Sequence, residues 1–223
     1  TISDAPIVYP DDYRRILLDI HASRSALDRI KGIFRFRPRH FKPVLPGVLE
    51  PRTGLSMGES CELMAMEWEL TREAQDELAL NSHLNAAAAQ QSGWYDDLIT
   101  AYEGVEKDNN VRPDSTMESL AKLRPSFDRS GAGTMTAGNS TPLTDGAAAV
   151  LLASEEWARE RNLPVMAYLT FARAAAVDFI NAEGLLMAPA YAVSDMLSQS
   201  NLSLQDFEFY EIHEAFAAQT LAR

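Results

Sequence analysis

Residues 133–150 constrain the fold of this chain more than any other segment. They combine small residues with hydroxyl and amide side chains, and they pass directly into the apolar residues 147–152. Glycine lets a backbone turn sharply or approach a ligand closely, and the polar side chains can form neutral hydrogen bonds. Taken alone, the segment is compatible with a tight turn between two strands and with a loop that binds a ligand.

The residues that follow alternate between strand and helix patterns. A continuous apolar run predicts a buried strand at residues 147–153, and strands are also predicted at residues 165–177 and 207–212. Helices are predicted between them, the first capped by Ser154 and the second over residues 189–200. This alternation predicts a layered α/β core.

The residues before this segment show mainly helical patterns. A helix is predicted from Asp11, and two helices are predicted over residues 59–91, with Thr71 as the N-cap of the second. His83 lies on the apolar stripe of that second helix, so we expect a packed, hydrogen-bonded histidine rather than a catalytic one. Residues 116–121 predict one or two further helical turns.

Composition limits the classes of function. The chain has 223 residues, 46% of them hydrophobic and 23% charged, which is typical of a globular protein. Its net charge of -12 argues against nucleic acid as the main partner, because phosphate backbones require a strongly basic face. The sequence has no apolar run of about eighteen residues, the length that suggests a membrane span. We also expect no bound metal.

Cys61 is the only cysteine of the sequence. A single cysteine rules out an intramolecular disulfide and fits the reducing cytoplasm. Glu59 and Glu62 lie beside it in the sequence, and nearby carboxylates raise the pKa of a thiol. Because the thiolate is the reactive form, we do not expect Cys61 to be a nucleophile.

The segment over residues 24–42 reverses the charge balance of the chain. Its seven Lys and Arg residues face one acid, Asp28, and Phe34, Phe36 and Phe41 are interleaved with them. Three interpretations remain open: contact with a membrane surface, a site for an anionic ligand, and a solvated face without a charged partner.

His213 lies where the last predicted strand passes into the last predicted helix. Active-site groups of α/β folds gather at the carboxyl ends of strands, and helix N–H groups attract negative charge there. Two interpretations remain open, a catalytic residue and a histidine that caps the helix or packs in the core. The chain begins with Thr1 and its last helix has no stop signal, so we expect an internal piece of a longer protein.

Five separated motifs resemble those of the thiolases and occur in the same order. They are Ser56-Met-Gly, the ten residues from Thr71, Leu120-Ala-Lys-Leu-Arg-Pro, residues 133–150, and His213-Glu-Ala-Phe-Ala-Ala-Gln. The resemblance is strongest to 3-ketoacyl-CoA thiolases of the trifunctional-protein β-subunit type. Such enzymes cleave a 3-ketoacyl-CoA with CoA during β-oxidation of fatty acids, or run the Claisen condensation in reverse.

The resemblance to thiolases implies a five-layered αβαβα core, built from two similar halves, with a helical loop domain that covers CoA. Residues 1–129 would form the loop domain, residues 130–164 the end of the first core half, and residues 165–223 the start of the second. It also implies acyl-CoA and CoA as ligands without a permanent cofactor, a homodimer or homotetramer, and a β-oxidation α-subunit as a partner.

The resemblance also implies residues that hold CoA. Arg112 and Ser119 would lie near its adenosine and phosphate end, where a cation and a hydroxyl suit a multiply charged group. Ala137, Thr141 and Leu143 would follow the pantetheine arm. Thr141 keeps the hydroxyl of the serine that many relatives have at this position.

Three further residues would surround the reactive end of the ligand. Met57 would line the pantetheine and acyl channel, and Phe216 would close the tunnel wall. His213 stands where many thiolases have an Asn that holds a water in an oxyanion hole, and it could donate a hydrogen bond to the thioester oxygen. Pro142 replaces a usual glycine, a departure that affects the backbone path beside the ligand.

The nucleophilic cysteine of the family would lie upstream of Thr1, and its Gly-His-Pro histidine and second cysteine would lie downstream of Arg223. We therefore expect residues 1–223 alone to be inactive, because acyl transfer needs a nucleophile and a base. Two alternatives remain: a non-catalytic acyl-CoA-binding or scaffold protein of thiolase-like fold, and a membrane-surface module that uses residues 24–42.

Overall fold

The computed structural model describes residues 6–44, 47–181 and 184–222, and the regular structure within these ranges is helical. The α-helices are α1 (Asp11–Ala22), α2 (Ala26–Ile33), α3 (Met57–Glu67), α4 (Arg72–Gln91), α5 (Met117–Ala121), α6 (Glu155–Glu160), α7 (Ala188–Ser200) and α8 (Ala217–Leu221). Short 3-10 helices cover Pro38–Phe41 and Leu204–Asp206.

Side-chain caps begin several of these helices where the sequence predicts them. Thr71 accepts a hydrogen bond from the N–H of Ala74 at 3.2 Å, and Ser154 accepts one from the N–H of Trp157 at 3.3 Å. At the start of α3, Ser56 and Glu59 form a reciprocal capping box, since each side chain accepts from the other's backbone N–H. These bonds confirm Thr71 and Ser154 as N-caps, and α1 begins at Asp11 as predicted.

The chain divides into two compact units. The first consists of Thr1–Val48 and Leu143–Val150. In it α1 packs against α2, and the ring of Tyr13 lies 5.2 Å from the ring of Phe36 and 5.6 Å from that of Phe41, centroid to centroid. This aromatic cluster holds the 3-10 helix against α1.

The second unit consists of Leu49–Pro142 and Leu151–Arg223, and its core is formed where α3 packs against α8. The buried apolar side chains of this core are Cys61, Met64, Ala65, Met135, Met187, Ala215, Phe216 and Ala218. Gly58 lies against the ring of Phe127. A Cβ added at position 58 would be 2.1 Å from Cε1 of that ring, so α3 packs this closely against Phe127 only with glycine there. Phe127 in turn meets Phe216 edge-on, with 5.9 Å between ring centroids.

The prediction of strands at residues 147–153, 165–177 and 207–212 is wrong, because none of these segments forms a regular strand. These segments have no regular secondary structure, and the described residues pair only in isolated β-bridges. Phe209 illustrates the reason, because its side chain is 88% exposed and no neighbouring strand lies beside it among the described residues. A strand forms only when an adjacent strand satisfies its backbone hydrogen bonds.

The predicted passage of His213 directly into a helix is also wrong, because α8 begins at Ala217. The carbonyl of His213 instead accepts a hydrogen bond from the N–H of Ala215 at 2.9 Å, which turns the chain before the helix. His213 therefore lies before the first turn of α8.

None of the helices in the described parts of the chain is both long enough and apolar enough to cross a membrane.

Candidate functional site

The loop within residues 133–150 meets the segment that begins with His213. The N–H of Thr141 donates to the carbonyl of Ala215 at 2.8 Å, and the N–H of Ala217 donates to the carbonyl of Asn139 at 3.0 Å. These two bonds form an antiparallel bridge that sets Ser140 opposite Phe216. The fold thus joins two motifs that lie far apart in the sequence.

A cleft of about 620 Å³ opens beside this bridge. Its three walls are the middle of α4, the segment over residues 108–123, and the loop over residues 137–142. Four of the residues predicted to bind CoA line it together, namely Arg112, Ser119, Ala137 and Thr141. They come from two different walls, so the fold and not the sequence spacing brings them together.

The remaining predicted residues lie elsewhere. Met57 is the first residue of α3 and is half exposed, and Phe216 is buried in the core of the second unit. Leu143 belongs to the first unit and is exposed. None of these three side chains lines any of the described cavities.

His213 lines a second cavity of about 570 Å³, together with aromatic residues such as Trp94 and Tyr210. Glu214 and Ser82 line both this cavity and the cleft, and the Ser82 hydroxyl donates to Glu214 Oε2 at 2.6 Å. Sequence reasoning missed both of these residues. Only their adjacency to His213 and His83 in the sequence could have indicated them.

His83 lies on the α4 wall of the cleft, and the N–H of Arg112 donates to its Nδ1 at 3.3 Å. Burial lowers the pKa of His83, and the charge of Arg112 lowers it further. Both effects favour the neutral imidazole, whose Nδ1 can accept this hydrogen bond. The predicted hydrogen bonding of His83 is confirmed, although the side chain is half-buried and lines the cleft.

Three polar side chains of the loop, those of Thr134, Thr136 and Asn139, are hydrogen-bonded within the protein. The hydroxyl of Thr134 donates to Glu62 Oε1 at 2.9 Å, and the side-chain amide of Asn139 donates to Asp76 Oδ1 at 2.9 Å. The hydroxyl of Thr136 accepts from the N–H of Gly138 at 3.1 Å. The expected supply of neutral hydrogen bonds to a ligand is thus reduced, because these groups anchor the loop.

Glu62 and Asp76 are the carboxylates that hold the loop, and sequence reasoning missed them in this role. Glu62 lies on α3 and Asp76 on α4, and both are almost fully buried. Acidic residues are seldom buried unless paired. A carboxylate on the apolar face of each predicted helix was therefore the signal that could have revealed them.

Cys61 is confirmed as unsuited to nucleophilic attack. Its side chain is 0% exposed, and burial raises the pKa of its thiol to about 12, with the charge of Glu62 adding to the effect. At neutral pH almost none of this thiol is thiolate.

Comparison with known proteins identifies the family of the chain. The sequence profile of the thiolase N-terminal domain matches residues 37–156, and that of the thiolase C-terminal domain matches residues 163–223. The chain belongs to the thiolase family. The first match ends within α6, and the second begins just after that helix.

Individual thiolases agree with this assignment. The chain is 45% identical over 223 residues to a 3-ketoacyl-CoA thiolase of Yersinia pestis (strain Pestoides F), an alignment that covers 97% of the chain and 50% of that relative. It thus spans about half the length of the curated relatives it matches.

Solved thiolase structures have the same fold. An acetyl-CoA acetyltransferase of Bacillus anthracis superposes with a TM-score of 0.75 at 32% identity, covering 100% of this chain and 53% of that protein. A human mitochondrial 3-ketoacyl-CoA thiolase in complex with CoA gives a TM-score of 0.71 at 32% identity, covering 78% of this chain and 44% of that protein. The predicted class, a partial thiolase-like α/β core with a helical part, is thereby confirmed.

Proposed function

We propose that this chain is the central part of a 3-ketoacyl-CoA thiolase and supplies most of its CoA-binding surface. The complete protein would transfer an acyl group from a 3-ketoacyl-CoA to CoA, giving acetyl-CoA and a shortened acyl-CoA, or run the condensation in reverse. The cleft carries the proposal, because it gathers Arg112, Ser119, Ala137 and Thr141 on two of its walls. The similarity to a thiolase solved in complex with CoA supports the same ligand here.

Within the cleft, Arg112 is the group best suited to the phosphates of CoA. Its side chain is exposed, and one guanidinium nitrogen donates to the carbonyl of Asn109 at 2.8 Å. The other guanidinium N–H groups can form charge-assisted bonds to phosphate oxygens. The Ser119 hydroxyl is less available, because it donates to the carbonyl of Thr116 at 2.8 Å within the helix cap.

His213 would act at the other end of the ligand. A hydrogen bond from its ring to the thioester oxygen would stabilise the negative charge that develops when the bond between the α- and β-carbons breaks. The adjacent Glu214 belongs to both the cleft and the cavity of His213, so a ligand that extends from one to the other passes this residue. Cys61 cannot supply the attacking thiolate, so that group must be a different cysteine of the complete protein.

The proposal includes the broader organisation of the protein. Residues 1–129 would form the loop domain over CoA, residues 130–164 the end of one core half, and residues 165–223 the start of the other. The protein would be of the trifunctional β-subunit type, cytoplasmic, and active as a homodimer or homotetramer with a β-oxidation α-subunit as its partner. The pantetheine arm would follow Thr141 and Leu143, with Met57 and Phe216 near the acyl channel.

Removing the charge of Arg112 tests directly whether the cleft binds the phosphates of CoA. In the complete encoded protein, Arg112→Gln should weaken CoA binding by about tenfold, the loss expected for one or two charge-assisted hydrogen bonds. Isothermal titration with CoA and with 3′,5′-ADP measures the effect, which should be similar for both ligands because the lost contact is to phosphate.

Arg129→Gln is the matched control, because Arg129 is an exposed cation of the same unit that lines none of the described cavities. Equal CoA affinities for wild type and Arg112→Gln would show that the cleft does not bind the phosphates. Loss of affinity in Arg129→Gln as well would show a general charge effect instead.

We further propose that residues 24–42 contact an anionic membrane surface. The observation that favours this is the combination of cations with exposed apolar side chains in the first unit, where Leu27 is 69% exposed and Phe34 is 84% exposed. An apolar surface rimmed by Lys and Arg is typical of interfacial segments. Arg35 contributes less, since it is paired with Asp19 at 2.7 Å.

Replacing Arg37, Arg39 and Lys42 by Ser should lower binding to phosphatidylserine liposomes by more than about tenfold. Each cation near an anionic surface contributes about 1 kcal/mol of binding free energy. Flotation of the complete encoded protein measures this. The control replaces Lys122, Arg124 and Arg129 by Ser, which removes the same charge from the second unit. Unchanged flotation of the first variant, or equal binding to neutral liposomes, would exclude the proposed contact.

A further inference from the structure

A buried ion pair lies behind the cleft and connects its three walls. Asp76, on α4, is 1% exposed, and its two carboxylate oxygens have different partners. Oδ2 accepts from Arg72 Nε at 2.7 Å, and Oδ1 accepts from Asn139 Nδ2 at 2.9 Å. A carboxylate buried to this degree costs free energy unless both oxygens are bonded, as they are here.

Arg72 extends this connection to the second wall. Its terminal nitrogen donates to the carbonyls of Leu120 and Leu123, at the end of α5 and just after it. Both leucines line the cleft. The charge of Asp76 thus holds Arg72 in an orientation that fixes the wall containing Ser119 relative to α4.

Asn139 extends the connection to the loop wall. Its Oδ1 accepts from the N–H of Thr136 at 2.7 Å, and its amide nitrogen also reaches the carbonyl of Thr134 at 3.3 Å. Its backbone carbonyl accepts from Ala217, the residue that closes the bridge to the segment of His213. One side chain therefore sets the path of the loop that carries Ala137 and Thr141.

We propose that Asp76 is a positioning residue, which sets the spacing of the cleft walls through Asn139 and Arg72 and so determines how tightly CoA binds. This inference rests on the proposed function, since it takes CoA as the occupant of the cleft. Asp76 would not touch the ligand, because its carboxylate is buried and both of its oxygens are already bonded.

Glu62 provides a comparison within the same unit. It holds Thr134 and Met135, which lie on the core side of the loop and do not line the cleft. Asp76 instead holds Asn139 directly and Leu120 and Leu123 through Arg72, and these three residues line the cleft. A change at Glu62 should therefore lower stability, whereas a change at Asp76 should also alter the affinity for CoA.

The pairing of Asp76 with Asn139 allows a reciprocal exchange. Asp76→Asn sets two amides together and leaves one donor without an acceptor, and Asn139→Asp sets two carboxylates together. In the double variant D76N/N139D the amide at position 76 can accept from Arg72 and donate to the carboxylate at position 139. That carboxylate can still accept from the N–H of Thr136. Only the 3.3 Å bond from the side chain at position 139 to the carbonyl of Thr134 is lost, because a carboxylate has no N–H to donate.

The experiment measures CoA binding, KM, kcat and the thermal midpoint for the complete encoded protein. Each single variant should raise the Kd and KM for CoA by about tenfold while kcat changes by less than about threefold, and the double variant should return Kd to within about threefold of wild type. Glu62→Gln is the comparator, and it should lower the midpoint while leaving the Kd for CoA near that of wild type at temperatures where it is folded.

Two results would overturn the positioning role: a folded Asp76→Asn that binds CoA as tightly as wild type, or a folded double variant that binds as weakly as the single ones. If the single variants do not fold, the double variant alone decides, because restored folding with restored affinity supports the pairing and restored folding without affinity rejects it. A wild-type protein that does not bind CoA would instead reject the proposed function.

Discussion

Replacing His213 with Ala in the complete encoded protein is expected to lower kcat by about 100-fold or more, as does the loss of an oxyanion donor, and to leave CoA affinity nearly unchanged. The reason is spatial, since His213 lines a cavity next to the cleft but not the cleft itself. Steady-state rates at saturating CoA, together with titration of CoA, separate the two effects.

His213→Asn should retain more activity than His213→Ala, because an amide can still donate a hydrogen bond directly or hold a water in place. His21→Ala is the control for the substitution itself, since His21 is an exposed residue of α1 in the first unit. If His213→Ala weakens CoA binding and keeps kcat, then His213 is a binding residue and its proposed role is wrong.

Replacing Glu62 with Ala is expected to lower the free energy of unfolding by about 3 kcal/mol or more, because buried donors would lose their charged acceptor. Glu62 accepts from the N–H of Thr134 at 2.6 Å, from its hydroxyl at 2.9 Å, and from the N–H of Met135 at 3.1 Å. The N–H of Met135 has no water as a ready substitute, since Met135 is fully buried, and Thr134 is half-buried. Urea unfolding of the complete encoded protein measures the loss.

Glu67→Ala is the matched control, because Glu67 lies on the same helix α3 and is exposed. Its replacement should change the unfolding free energy by no more than about 0.5 kcal/mol, as is usual for surface positions. Similar losses in the two variants would show that the bonds from Glu62 to the loop contribute little to stability.

Local signals in the sequence predicted where α1, α4 and α6 begin. Thr71 and Ser154 begin helices because a hydroxyl at that position satisfies a backbone N–H that the helix leaves free. This interaction spans only three residues, so its pattern is visible in a single sequence. The same holds for α1, whose predicted start at Asp11 is confirmed.

The predicted strands failed for the opposite reason. Residues 147–153 and 207–212 have the composition of strands, but a strand also needs a neighbour, which composition does not specify. The position of His213 shows the same limit, because the turn that delays α8 until Ala217 depends on a bond to Asn139, a residue from a distant part of the sequence.

The cleft was only partly predictable. The resemblance to thiolases indicated Arg112, Ser119, Ala137 and Thr141, and the structure brings these four together. It gave no indication of Asp76, because a buried acid on a helix is recognised only when its partners are known. The polar residues of the loop suggested ligand contacts, whereas Thr134 and Asn139 bind carboxylates of the protein itself.

We propose that this chain belongs to an active thiolase and holds CoA for it. The most direct measurement incubates the complete encoded protein with CoA and 3-ketoacyl-CoA substrates of short, medium and long chain, and quantifies the products by mass spectrometry. We expect acetyl-CoA and an acyl-CoA two carbons shorter, formed in equal amounts and only when CoA is present. Binding of CoA without product from any of these substrates would contradict the claim and favour a non-catalytic acyl-CoA-binding protein.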